Sequence, residues 1–264
     1  MLAAQRRELL LARLASEGRL VARDVAVELG ISEDSVRRDL RDLAAAGLCQ
    51  RVYGGALPVS AAIGDYAARQ DVDPDSKQRV ARRAAELVTP GSMAILDGGT
   101  TTLAVARALP HDLRATVVTH SPTVASALVD HPHVEIDLIG GRIFKHSAVA
   151  SGAAAVEAAQ HVHADVFLLG VTGVHATAGL TTGDADEAAM KRALSRRAAE
   201  TWVLASAEKI GAASRYSVLP LDEVAGVITD VALDSPAVRA LLDAGVKVVG
   251  CGPADIDAAR GHRR

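Results

Sequence analysis

Aromatic side chains are nearly absent, with one Trp, three Tyr and two Phe among 264 residues. A core must therefore be built from Ala, Val, Leu and Ile, and a 49% apolar composition supplies enough of them for a sizeable one. Cysteine is scarce too. Cys49 and Cys251 stand far apart and form no spaced motif. That excludes a disulfide framework and points to a reducing cytoplasm. No apolar run reaches the roughly 18–20 residues of a membrane span, so no membrane partner is expected. The opening stretch MLAAQRRELLLARLASEGRL interleaves charged and apolar residues. This is the pattern of an amphipathic helix and not of a signal peptide.

An excess of charge is also missing, since the formal net charge is −3. Residues 1–57 carry nine Arg against eight Asp or Glu, and the remainder carries 20 Lys or Arg against 24 acids. Bulk charge leaves no nucleic-acid footprint, so any such reading rests on where single arginines lie. Metal-ligand patterning is absent as well. His131-Pro132-His133 and His161-Val162-His163 are H-x-H pairs, but no carboxylate or Cys cluster stands at ligand spacing. Neither a metal nor a cofactor is expected.

Apolar spacing predicts helices over 3–16 and 21–29, the second closed by Gly30. Ser32 is the N-cap of a third helix to about Ala46, with Glu33 and Asp34 where the helix dipole favours acids. A β-type stretch, LCQRVYGGALPV, follows. Three helices and a β-ribbon describe a winged helix-turn-helix over 1–57. Residues 58–75 lack clear periodicity and read as a linker with a short helix around Asp65–Gln70.

From 76 to 252 the pattern is α/β. Predicted strands are 93–96, 115–119, 134–139, 165–169, 201–205, 224–229 and 246–249. Predicted helices include 101–109, 122–130, 152–162, 184–199 and 235–244. Continuous apolar strands between helices indicate a mostly parallel, Rossmann-like sheet covered on both faces. Residues 253–264 read as a frayed tail.

On the third helix Val36, Leu40 and Leu43 share one face. Ser35, Arg38 and Arg41 point the other way, with Arg37 on the flank. Apolar residues would fix such a helix while Arg forks read guanine edges or clamp phosphates. Arg51 and Tyr53 on the wing would hold the adjoining backbone. Taken alone, the helix equally fits a solvated basic face on a small bundle.

In the larger domain Asp97-Gly98-Gly99-Thr100-Thr101-Thr102 joins a strand to a helix. Glycines admit a close ligand, and N–H groups at a helix start favour an anion. A plain tight turn with a Thr cap would look the same. Thr119-His120-Ser121, Gly140-Gly141 and Ser206-Ala207-Glu208-Lys209 also end strands, where open α/β sheets bind ligands. Lys77, placed before the first helix of this domain, and Lys209 would add positive charge. Glu187 and Lys191, four apart, form either a surface ion pair or a pocket-lining pair.

The run Ser35-Val36-Arg37-Arg38-Asp39-Leu40, followed by Gly47-Leu48 and Arg51-Val52-Tyr53-Gly54-Gly55-Ala56, resembles the DeoR-family helix-turn-helix signature. Ser35 stands where the family more often has Thr, and Asp39 is assigned no base contact. Over roughly 76–250 the chain resembles the DeoR-family sensor domain. The similarity runs through Ser76-Lys77, Leu96-Asp97-Gly98-Gly99-Thr100-Thr101, Val117-Val118-Thr119, Gly140-Gly141, Gly179-Leu180-Thr181, Glu187 with Lys191, Lys209 and Ile228-Thr229-Asp230.

The resemblance implies a fold related to ribose-5-phosphate isomerases and CoA transferases. It implies a repressor of a carbohydrate-catabolism operon that binds double-stranded operator DNA, with a phosphorylated sugar as effector and a dimer or tetramer as the assembly. His120 and Ser206 depart from the family's usual Asn and Asp, so the effector's identity does not carry over. The competing reading is a sugar-phosphate isomerase or transferase with an accessory helical domain, using Glu187 as base and Lys209 as electrostatic stabiliser.

Overall fold

A computed structural model of the chain describes residues 2–60, 62 and 64–252. The tail expected over 253–264 lies outside the described residues. In the N-terminal part α1 (Ala3–Glu17), β1 (Leu20–Val21), α2 (Ala22–Leu29) and α3 (Glu33–Ala45) precede the ribbon strands β2 (Gln50–Val52) and β3 (Gly55–Leu57). The three helices follow the sequence periodicity. The two-residue strand β1 was not expected from it. β1 pairs with β3, which also pairs with β2, all antiparallel. Leu10, Leu14, Val25, Val36, Leu40 and Leu43 form the small core. Asp39 is buried beneath α3 and pairs with Arg6 and Arg7, which ties α1 to α3. It organises the two arginines beside it.

The segment read as a linker contains α4 (Tyr66–Gln70), with Asp65 accepting from Ala68 N–H at 2.8 Å. α5 (Pro74–Ala85) then begins earlier than expected, because Asp73 accepts from Ser76 N–H at 3.2 Å and Pro74 starts the first turn. Lys77, expected ahead of the first helix, therefore lies in its first turn.

The remaining chain runs β4 (Met93–Leu96), α6 (Thr100–Ala108), β5 (Ala115–Thr119), α7 (Pro122–Leu128), β6 (Val134–Leu138), β7 (Arg142–Phe144), β8 (Val149–Ser151) and α8 (Ala153–Ala159). It continues through β9 (Ala164–Gly170), β10 (Gly173–His175), β11 (Gly179–Thr182), α9 (Ala185–Ser195), β12 (Ala198–Ala205), β13 (Tyr216–Ser217), β14 (Gly226–Thr229), α10 (Pro236–Asp243) and β15 (Val248–Gly250). Seven strands form one parallel sheet in the order β15-β14-β12-β9-β4-β5-β6. The expected strands all form, with ends shifted by a few residues. Expected helix 184–199 stops at Ser195, since β12 has begun by Ala198. The small pairings β7–β8 and β10–β11–β13 were not expected, as two to four residues show no period.

Apolar residues fill both faces of the sheet. One layer contains Val80, Leu96, Val105, Val117 and Leu168, and the other contains Ile95, Phe167, Leu169, Met190 and Val203. Phe167 is the only fully buried phenylalanine, and aliphatic residues supply the rest, as the composition required.

One charge joins the strand ends. The carboxylate of Asp97, just past β4, is fully buried. Its Oδ1 accepts from His120 Nε2 at 2.8 Å, and its Oδ2 accepts from Gly170 N–H at 2.9 Å and Lys191 Nζ at 2.5 Å. His120 Nδ1 also lies 2.9 Å from the Ala150 carbonyl oxygen. Four elements thus meet on one side chain. Burial alone would push the Asp97 carboxyl up. The charge of Lys191 and the hydrogen bond and charge of His120 outweigh it and hold the group well below the usual carboxylate range.

A depressed native value stabilises the fold above the unfolded carboxyl's value, about 3.9, and that stability is lost as pH falls through the native one. Urea unfolding of the parent should therefore lose stability progressively below about pH 4. Asp97→Asn should be less stable at neutral pH and show a flatter acid limb. Parallel acid limbs would show that Asp97 does not carry this dependence.

Candidate functional site

Two regions collect the residues singled out in the sequence. The first is the outer face of α3. Val36, Leu40 and Leu43 are buried, and Arg37, Arg38 and Arg41 are exposed. Ser32 accepts from Ser35 N–H at 3.2 Å, and the two hydroxyls lie 2.9 Å apart, so Ser32 is occupied as the cap. Arg37 is held by Glu33 one turn back at 2.6 Å. Among the described residues Arg38, Arg41 and Arg51 enter no ion pair, so their donors are available. Arg37, Leu40, Arg51, Tyr53 and Gly54 line a groove between α3 and the wing. Tyr53 stands fully exposed at the wing turn.

The second region is a cleft at the C-terminal ends of β4, β9 and β12. The first turn of α6 forms its floor through Gly99, Thr100 and Thr101. The adjacent glycines do different work. A Cβ on Gly98 would lie 2.0 Å from Val149 Cγ1, so this glycine, which also lines the cleft, makes room for the β7–β8 hairpin. Gly99 has φ +112°, and a Cβ there would meet Arg69 Nη1 at 3.8 Å. Its backbone needs glycine and brings the α6 N-terminus beside a guanidinium.

Arg69, Lys77 and Lys209 line this cleft together. Arg69 donates from Nη2 to the His146 carbonyl at 3.2 Å, while its buried Nε has no partner. Lys77 donates to the carbonyls of Arg69 and Val72. Lys209 donates to Thr101 Oγ1 at 2.9 Å and to the Leu204 carbonyl at 3.4 Å. Burial pushes Arg69 and Lys77 down. Burial, reinforced by the neighbouring charges of Lys77, Arg69 and Lys191, pushes Lys209 down to about 8 against the opposing pull of Glu208. Glu187 and Glu208 also line the cleft. Glu187 Oε2 accepts from Thr182 at 3.4 Å. Glu208 Oε1 accepts from Ser206 at 2.7 Å, and its buried Oε2 has no partner.

Other expected residues form the layer behind. Asp97, Thr119, His120 and Ser121 are buried. Thr119 Oγ1 accepts from Ser121 N–H at 3.1 Å, and Thr102 Oγ1 donates to the Gly99 carbonyl at 3.0 Å. Glu187 and Lys191 do not form the surface pair that their spacing allowed. Both are buried and line the cleft, and Lys191 is paired with Asp97. Gly140 and Gly141 are exposed at the start of β7 and outside the cleft, because β6 is the sheet's edge strand.

Sequence reasoning missed Arg69, Thr172, Thr182 and Glu208. Glu208 lay in a quoted junction, but Arg69 sits in a stretch without periodicity and only Asp65 announced its helix. Among the described residues no group of three or more His, Cys, Asp or Glu could hold a metal ion. No helix among them is long and apolar enough to cross a membrane.

Residues 6–61 match the DeoR-like helix-turn-helix domain, and residues 72–231 match the DeoR C terminal sensor domain. The chain is 34% identical over 236 residues to the HTH-type transcriptional regulator GlpR of Haloferax volcanii, covering 89% of this chain and 92% of that one. It is 30% identical over 252 residues to a putative aga operon transcriptional repressor of Escherichia coli O157:H7, covering 93% of each. It is 32% identical over 219 residues to the HTH-type transcriptional repressor GlcR of Bacillus subtilis, covering 82% of this chain and 84% of that one. Ribose 5-phosphate isomerase A of Methanocaldococcus jannaschii is a structural neighbour at TM-score 0.37 and 18% identity, over 50% of this chain and 52% of that one. Relatives that align along nearly the whole chain are regulators, which sets the isomerase or transferase reading aside. With a helix-turn-helix domain followed by a sensor domain, the chain belongs to the DeoR family of DNA-binding transcriptional regulators.

Proposed function

We propose that this regulator is a cytoplasmic repressor of a carbohydrate-catabolism operon, released from its operator by a phosphorylated sugar or a similar metabolite. One observation carries the effector class. Arg69, Lys77 and Lys209 surround the first turn of α6 in a single cleft. Buried cations beside free helix N–H groups suit a phosphate. The acids Glu187 and Glu208 in the same cleft suit sugar hydroxyls. On the DNA side, Arg38 and Arg41 read base edges, while Arg37, Arg51 and Tyr53 hold backbone. One winged helix presents a small reading surface, so the active species is a homo-oligomer on repeated half-sites. Sedimentation as a monomer while bound to a single unrepeated site would sink that part.

Operator titrations test the reading face. Arg38→Ala should lose about 1–3 kcal/mol of discrimination at one base pair. Arg51→Ala should weaken operator and scrambled DNA alike and reduce the salt slope by about one. Operator binding by Arg38→Ala as tight as the parent's would move the recognition face elsewhere.

Titrations with and without ligand test the cleft. A phosphorylated sugar should lower operator affinity by about 5–150-fold, the usual span of coupling between two sites. The unphosphorylated sugar should be much less potent. In the double variant Thr101→Ala, Lys209→Ala the ratio of affinities with and without effector should collapse towards one. A response that survives in the double variant would place the effector elsewhere.

A further inference from the structure

The chain has five lysines, and their surroundings differ. Lys191 is charge-paired with Asp97, and Lys247 lies over the Trp202 ring at 4.9 Å. Lys145 is exposed. Lys77 is pinned to two backbone carbonyls. Lys209 alone combines burial and a place on the cleft wall with a hydroxyl partner that can either accept or donate. The Thr101 hydroxyl can receive a hydrogen bond from an ammonium or turn to donate one to a neutral amine. The Leu204 carbonyl accepts from both forms. Among the described residues no carboxylate forms an ion pair with Lys209; Glu208 accepts from Ser206 and acts on it only from a distance. A desolvated amine without a counter-ion is the form of lysine that attacks carbonyl carbon.

We propose that Lys209 captures its effector as a reversible imine, which makes the effector class an aldose or ketose phosphate reacting in its open-chain carbonyl form. The proposal rests on the effector reading of the cleft. The Nζ lone pair forms a bond to the carbonyl carbon while the C=O π pair moves to oxygen, and one nitrogen proton passes to that oxygen. The carbinolamine then loses water with the second nitrogen proton, leaving C=N. Nothing is oxidised or reduced, and hydrolysis reverses the sequence. Near neutral pH the depressed value of Lys209, about 8, leaves more free amine than an exposed lysine has.

The test uses the full-length protein, glycolaldehyde phosphate as probe and sodium cyanoborohydride to reduce any imine, with the adducts mapped by peptide mass spectrometry. Lys209 should be labelled about tenfold faster than Lys145, because a lower amine pKa leaves more nucleophile. 2-Phosphoglycolate has the same phosphate but no aldehyde. It should form no adduct and should slow labelling at Lys209 only. Lys209→Arg should abolish the fast adduct, and protection by 2-phosphoglycolate gives the same answer in the unmutated protein. Labelling of Lys209 no faster than Lys145 overturns the proposal. If phosphosugars still weaken operator binding in that case, the cleft reading stands without the imine. If unphosphorylated glycolaldehyde labels Lys209 as fast as its phosphate does, the imine stands and the phosphate reading falls.

Discussion

The carboxylate of Asp97 is the constraint on which the sensor domain's geometry depends. A buried ionised group needs its full complement of donors, because each unsatisfied site costs free energy that water would otherwise recover. Three donors meet the two oxygens of Asp97, and they come from the end of β5, the last residue of β9 and the middle of α9. Packing alone would let these elements slide, since Ala, Val and Leu surfaces are weakly directional. The charge fixes where they converge. Removing one partner would leave the others desolvated without compensation, so the arrangement behaves as a unit. The cleft lies directly in front of it. Lys191 belongs to both, pairing with Asp97 while lining the cavity.

The connection between the domains is part of the same cleft. Ser60 donates to the Glu208 carbonyl at 3.2 Å, and Val59 bridges Ala213. Arg69 enters from α4, and Lys77 holds the carbonyls of Arg69 and Val72. The wall nearest the winged helix is thus made by the chain that leads to it. A ligand that takes up Arg69 or Lys77 competes with bonds that shape this segment. Coupling by this route requires no long relay through the core, only two arrangements of one short stretch.

Much of this was legible in the residues, and what was not has physical causes. The inner sheet strands were visible because their cores are apolar runs, which is how a strand buried on both faces must read, while β6 at the edge alternates apolar and acidic residues. The outward face of α3 was visible because helical periodicity separates Val36, Leu40 and Leu43 from Arg38 and Arg41. Asp97, Thr101, Glu187, Lys191 and Lys209 were found through their places at strand ends and through resemblance. Their partners were not. Spacing put Glu187 against Lys191, but burial delivered Lys191 to Asp97, ninety-four residues away in sequence. Gly98 and Gly99 read alike as letters, yet one makes room for Val149 and the other supplies a positive φ at the start of α6. Arg69 itself was hidden, because a five-residue helix has too little length to show a period.

The two unpartnered atoms in the cleft are of opposite kind. Arg69 Nε is a donor and Glu208 Oε2 is an acceptor, both buried. Leaving such groups unmatched costs on the order of 1–3 kcal/mol each, a cost that a well-shaped ligand removes on binding. An inorganic anion answers the arginine only. It also adds negative charge near Glu208, which opposes its own binding. A neutral polyol answers the carboxylate and brings no negative charge to Arg69 and Lys77. A molecule that carries both an anion and hydroxyl donors can answer both groups. The cleft therefore selects for bifunctionality more than for charge. That favours a phosphorylated sugar over phosphate or sugar alone, although the chain as a whole carries a slight excess of acid.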